Sequence, residues 1–188
     1  MKGNIIWLIR SQEARVIGRI VERLRAHNLA PEEPTTGEFR AWGTTVENAG
    51  EFLATTPADL FESWESQDLD EVAFSLWRIE NVGEIGTSGA AFLASDVFVQ
   101  LKRAKSHSRL IFGMPGFTAE DVETLAATLL WNAVTEPESL GLIVDPTAEI
   151  RPEWEDFLAH PSAPVPSGLQ VAWLADDTLG PPIFWVAR

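Results

Sequence analysis

Residues Ile5-Ile6-Trp7-Leu8-Ile9 form an unbroken apolar run, rich in β-branched side chains, between Asn4 and Arg10. Such a run reads as a buried strand. The period then changes. Val16, Ile17, Ile20, Val21 and Leu24 recur at helical spacing, while Arg15, Arg19 and Arg23 recur every four residues on another side. This pattern predicts an amphipathic helix. Ser11 is placed to cap it, Glu13 falls in its first turn, and Asn28 suits a left-handed terminator. Pro31 and Pro34 mark a loop, and the segment 38–45 predicts a short strand around Phe39, Ala41 and Trp42. Two short helices are expected at about 46–54 and 57–66, the second with Thr56 as its cap and Pro57 in its first turn.

Val72, Phe74 and Leu76 alternate, which predicts a strand over 72–79. The segment 90–104 carries Phe92, Leu93, Val97, Val99 and Leu101 and leads into Lys102, Arg103 and Lys105. It reads as a helix whose basic end suits the negative pole of the dipole. Leu110-Ile111-Phe112 predicts a strand. A helical stripe of Val122, Leu125, Ala126, Leu129 and Leu130 follows, and Leu140 to Val144 predicts a second strand. The region 109–144 is thus expected to form a right-handed parallel strand–helix–strand (βαβ) unit. A connection holding Pro152, Pro161, Pro164 and Pro166 leads to two more strand patterns, expected as a C-terminal hairpin over 169–187. The fold expectation is a single compact domain spanning 1–188, α/β or α+β, with a mixed central sheet flanked by helices.

Charge changes this picture more than length does. The chain has 188 residues, 28 acids, 14 bases and a formal charge of −14. The excess is uneven: residues 32–96 hold fourteen acids and two bases, while residues 1–31 hold six bases and two acids. Most of this surface would repel a phosphate backbone, so nucleic acid is not an expected partner, whereas a basic protein would be attracted and steered in. Cysteine is absent, which removes disulfides and thiolate metal sites and favours a cytoplasmic home. The five-residue apolar run near the start is too short for a signal-peptide core, and no run approaches the ~20 apolar residues of a membrane span. No membrane association is expected. Eight Trp and ten Phe occur without a single Tyr, and Trp is a preferred anchor at interfaces.

The densest acidic block is 57–71, with six carboxylates and no base. Asp59, Glu62 and Glu65 lie three apart, so one side of a helix gathers them. With Asp68, Asp70 and an aromatic anchor at Trp64, they are the candidate partner-binding residues. An ordinary surface helix with Phe61 and Trp64 in the core is the plainer account of the same pattern. Elsewhere, the arginine ladder can bind an anion or pair with the chain's own acids. The run Lys102 to Arg109 can hold a phosphate or be a solvated helix end. Gly113-Met114-Pro115-Gly116 lacks the Lys and Ser/Thr of a phosphate loop. His27, His107 and His160 show no metal-ligand spacing. No catalytic residue, cofactor or metal is expected.

In general character (small, acidic and free of cysteine) the chain resembles the immunity proteins that neutralise secreted cationic toxins. That resemblance implies a non-catalytic inhibitor whose Asp59, Glu62, Glu65, Asp68 and Asp70 meet Arg and Lys of a basic partner. One alternative is an α/β enzyme with a site at the strand carboxyl ends, drawing on Arg10, Ser11, Gly113, Met114 and Asp145. Another is a structural or regulatory subunit whose Trp residues make an oligomer interface.

Overall fold

A computed structural model describes residues 4–44, 49–51, 54–66, 69, 71–84, 90–104, 107–113, 119–145 and 170–174. The elements follow in the order β1 (Asn4–Ile9), α1 (Ala14–Arg25), β2 (Leu29–Ala30), β3 (Ala41–Thr44), β4 (Ala49–Glu51) and α2 (Pro57–Glu65). Next come β5 (Glu71–Glu84), β6 (Ala90–Arg103), β7 (Ser108–Gly113), α3 (Ala119–Thr135), β8 (Ser139–Asp145) and β9 (Gln170–Leu174). The nine described strands form one curled sheet in the order β4-β3-β5-β6-β7-β1-β8-β9, with β2 beside β5.

Every described strand pairing is antiparallel, which corrects the expectation of a mixed sheet with a parallel unit at 109–144. The strand, helix and second strand of that unit do exist, as β7, α3 and β8. They are not neighbours, because β1 lies between them and pairs antiparallel with both. Local pattern shows which elements follow one another along the chain. It does not show that a strand from the far N-terminus will insert between two of them.

A second correction concerns 90–104, which is the 14-residue strand β6 and not a helix. Its residues 93, 97 and 101 have helical spacing by coincidence. Val97, Val99 and Leu101 have period two, are fully buried, and face Leu76, Phe74 and Val72 across β5. The β-branched valines fit that pleated surface. A third correction concerns 46–54, where Ala49–Glu51 is a strand. Of the expected C-terminal hairpin, only β9 falls within the described residues, and it pairs with β8.

The core explains where the helices lie. Ile5, Trp7 and Ile9 share one buried cluster with Val16, Ile17, Ile20 and Leu24 of α1, with Leu60, Phe61 and Trp64 of α2, and with Leu125 and Leu129 of α3. All three described helices therefore cover the same face of the sheet and do not flank it on both sides. The alternate residues Ile6, Leu8, Ile111 and Ile143 point to the other face and are buried there too. This is why β1 reads as a continuous apolar run. Its one polar handle, the Trp7 indole, donates to Ser139 Oγ at 2.7 Å. No described helix is long and apolar enough to cross a membrane.

Candidate functional site

The acidic helix α2 forms where expected. Thr56 Oγ1 accepts from the Asp59 N–H at 3.2 Å, and Pro57 opens the first turn. That cap fixes the rotation of the helix. Leu60, Phe61 and Trp64 face inward, and Asp59, Glu62 and Glu65 are exposed. The structure thus brings together three of the sequence-predicted site residues. Trp64 is corrected: it is fully buried and cannot anchor a partner at the surface. Its ring carries the Arg103 guanidinium at 4.4 Å, and its carbonyl accepts from Arg103. Asp68 and Asp70 lie outside the described residues.

Alongside α2 runs α1. Between them is a groove of about 520 Å3. Its buried floor is Val21 and Phe61, with half-buried Gly18 between the helices. Its described charged lining is Arg15 and Arg25 against Glu22, Glu32, Glu62 and Glu65. Both arginines already have partners. Arg15 pairs with Glu13, and Arg25 pairs with Glu22 at 3.1 Å and Glu32 at 2.7 Å. The Arg25 guanidinium holds the Glu32 carboxyl below the ordinary carboxylate range. Glu65 accepts from the Ala14 N–H at 3.0 Å and so caps the start of α1, a position where negative charge is favoured. Ser11, expected in that role, instead accepts from the Glu13 N–H, and Glu13 is the residue that begins the helix. Asp59, Glu62 and Glu65 form no ion pair among the described residues.

A second hollow, of about 560 Å3, lies at the N-terminal end of α1. Its described charged lining is Arg15, Arg19 and Arg103 against Glu13, Glu65 and Glu138, three against three. Gln12 closes it. The Gln12 amide donates to the carbonyls of Ala104 and His107 at 2.7 and 3.2 Å and accepts from Arg103 at 2.9 Å. The basic run therefore falls at the end of β6 and the start of β7, where Lys102 and Arg103 stand opposite Arg109 and Ser108, and not at a helix end. Arg103 is spent on the fold and Lys102 pairs with Glu71 at 3.0 Å. The arginine ladder is used internally as well. Arg19 and Arg23 converge on Glu136, whose side chain is fully buried, at 2.5 and 3.1 Å.

The chain matches no family model, no curated protein and no solved structure. The enzyme candidates do not converge. Arg10 and Ser11 follow the C-terminal end of β1, whereas Gly113 and Asp145 both stand opposite Asn4, at its other end. Antiparallel pairing sends successive carboxyl ends to opposite edges, so the shared rim that a parallel sheet provides is missing. Met114 lies outside the described residues. Among the described residues no three His, Asp or Glu side chains are placed to hold a metal ion.

Two features escaped the sequence reading. One is the α1 wall of the groove, Gly18, Glu22 and Glu32. A glycine in the middle of an otherwise regular helical stripe was the available signal. The other is Trp131 on α3, 68% exposed beside Val134 at 43%. The signal in the sequence is its place off the apolar stripe of Leu125, Leu129 and Leu130.

Proposed function

We propose that this protein is a non-catalytic, acidic protein-binding module of immunity or inhibitor type, which captures a basic partner on the face made by α2 and α1. The observation that carries the reading is the groove's charge surplus. Of its four glutamates, Glu22 and Glu32 pair with Arg25 while Arg15 pairs with Glu13, which leaves Glu62 and Glu65 without an ion pair among the described residues; with Asp59 they lie exposed along α2. Unpaired exposed carboxylates cost little in water and keep their full attraction for an approaching cation. A net charge of −14 extends that attraction by steering the encounter. The site is a salt-sensitive docking surface and needs no reacting group.

The test is kinetic. A basic partner obtained by affinity capture at low salt is expected to associate more slowly as salt rises, and more slowly still with the double variant Glu62→Lys/Glu65→Lys. The reversal acts mainly on the association rate, by about tenfold or more at low salt. Association that ignores both salt and charge reversal removes the proposal.

One observation favours a second reading, a subunit that self-associates through α3. Trp131 and Val134 are one helical turn apart and both exposed. Together with exposed Ala127 they form an apolar stripe on the outer side of α3. Sedimentation that shows a dimer, lost in Trp131→Ser, supports it. A monomer at every concentration dismisses it.

A further inference from the structure

Helix α3 carries the most exposed large apolar side chain among the described residues. Trp131 is 68% exposed, and Val134, one turn on, is 43% exposed. Exposed Thr124, Ala127 and Thr135 complete that face. The opposite side of the helix, with Leu125, Leu129 and Ala133, already sits in the core. An indole standing in water does little for that packing, and Trp is a preferred anchor between molecules.

The face also differs in charge from the rest of the chain. From Thr124 to Thr135 there is no charged residue, in a protein of net charge −14. Just beyond its C-terminal end, Glu136 is fully buried against Arg19 and Arg23. A basic partner finds no carboxylate here to pair with. An anionic lipid surface finds no Lys or Arg to hold it, and the net charge repels it. A second copy of the chain buries apolar surface on apolar surface and leaves no charge unpaired.

Two-fold symmetry limits how the copies can meet. In a parallel pair Trp131 would stand against the partner's Trp131, and exposed Glu123 against the partner's Glu123, like on like. In an antiparallel pair centred between Ala127 and Trp131, each indole lies over the partner's Ala127. Val134 then meets the partner's Thr124, and Glu123 meets the partner's Thr135. Large side chains oppose small ones, so the helices approach closely. The two Glu123 carboxylates are set about 18 Å apart along the helix axis, at the usual rise per residue.

We infer that α3 pairs antiparallel with α3 of a second copy, Trp131 of each lying over the partner's Ala127. This pairing rests on the self-association reading above and adds its orientation, its register and the sign of its salt dependence. Both copies are strongly acidic, so salt screens their repulsion and tightens the dimer. Capture of a basic partner on α2 is weakened by the same salt. A patch one helix wide is small beside the roughly 800 Å2 per partner of a standard interface, so the pairing is reversible.

The chain has no cysteine, so single-cysteine variants report the geometry cleanly. Sedimentation of the intact chain over concentration and salt is expected to show a dimer that tightens several-fold from low to high salt. Trp131→Ser weakens it by about tenfold or more. Ala127→Leu adds apolar surface but fills the seat of the indole, and it weakens the dimer as well. Both positions are exposed, so both variants melt with the parent. A short bismaleimide joins two chains through Thr128→Cys, which lies close to the two-fold axis. It does not join them through Thr135→Cys, about 18 Å from its mate along the axis. Any other cross-linking pattern, a dimer that loosens with salt, or one strengthened by Ala127→Leu overturns the antiparallel pairing and leaves self-association through α3 standing. A chain that stays monomeric at every concentration and salt, or a dimer indifferent to Trp131→Ser, overturns both.

Discussion

Two sets of carboxylates in this molecule have opposite surroundings. Glu136 follows the last residue of α3, where a negative charge opposes the helix dipole, and its side chain is fully buried. It persists there because Arg19 and Arg23 reach across from α1 to hold it. Asp59 and Glu62 on α2 are exposed and hold nothing across the molecule. The first set ties two helices together and belongs to the fold. The second ties no elements together, Asp59 acting only within the first turn of its own helix, and its charge stays open to another molecule. The same residue type does both jobs, and burial separates them.

The largest expected effect comes from cutting the buried set from the cation side. Replacing both Arg19 and Arg23 by Met leaves a buried carboxylate without a countercharge, which should cost about 3–5 kcal/mol of stability. Glu136→Gln should cost less, about 1–3 kcal/mol, because the glutamine keeps a carbonyl acceptor for the guanidinium groups and leaves no buried charge of its own. Urea unfolding measures both. If the arginine pair costs no more than the glutamine, Glu136 is not the buried partner the geometry makes it, and the contrast with α2 fails.

This contrast was only half legible in the sequence. The outward side of α2 followed from the spacing of Asp59, Glu62 and Glu65 and from Thr56-Pro57 at the start. So did the burial of Leu60 and Phe61. The strand β1, the helix α1 with its left-handed Asn28, the strand β5 and the helix α3 followed from periodicity in the same way. Everything that depends on which distant elements meet was hidden. The arginine ladder was visible, but Glu136 lies 117 residues from Arg19. The strand–helix–strand run was visible, but the strand that splits it comes from the N-terminus. For β6, two periods matched the same residues, and pairing with β5 decided between them.

A smaller effect tests whether surface acids elsewhere contribute to the fold. Glu33 accepts from the Thr35 hydroxyl at 2.6 Å and from the Thr36 N–H at 2.7 Å, and these bonds hold its carboxyl down to about 2. Glu32 is held low by Arg25. A carboxyl that ionises more easily in the fold than in the open chain stabilises the fold fully above the ordinary value of 4.5. That contribution is lost as pH falls from there through about 2. The melting temperature should therefore drop over that window, and less steeply in Glu33→Gln. A Glu33→Gln profile that superimposes on the parent's would show that the loop bonds do not persist in solution.

The smallest stability effect is the most telling for function. Glu62→Lys removes one of three like charges spaced three apart on α2, a helix with no base in its last turn. Both changes favour the helix, through relief of repulsion and through the dipole, and together they should raise stability by about 0.3–1 kcal/mol. Glu65→Lys does not share this benefit, because it gives up the hydrogen bond from the Ala14 N–H and with it the cap of α1. Chemical denaturation should therefore rank Glu62→Lys at or above the parent and Glu65→Lys below it. The basic partner should reverse the first of these, since Glu62→Lys weakens capture while strengthening the fold. A residue kept for stability would lose both properties together. One that gains stability and loses binding on the same substitution is retained for the partner, and a Glu62→Lys protein that is less stable than the parent would place Glu62 with Glu136 among the acids of the fold.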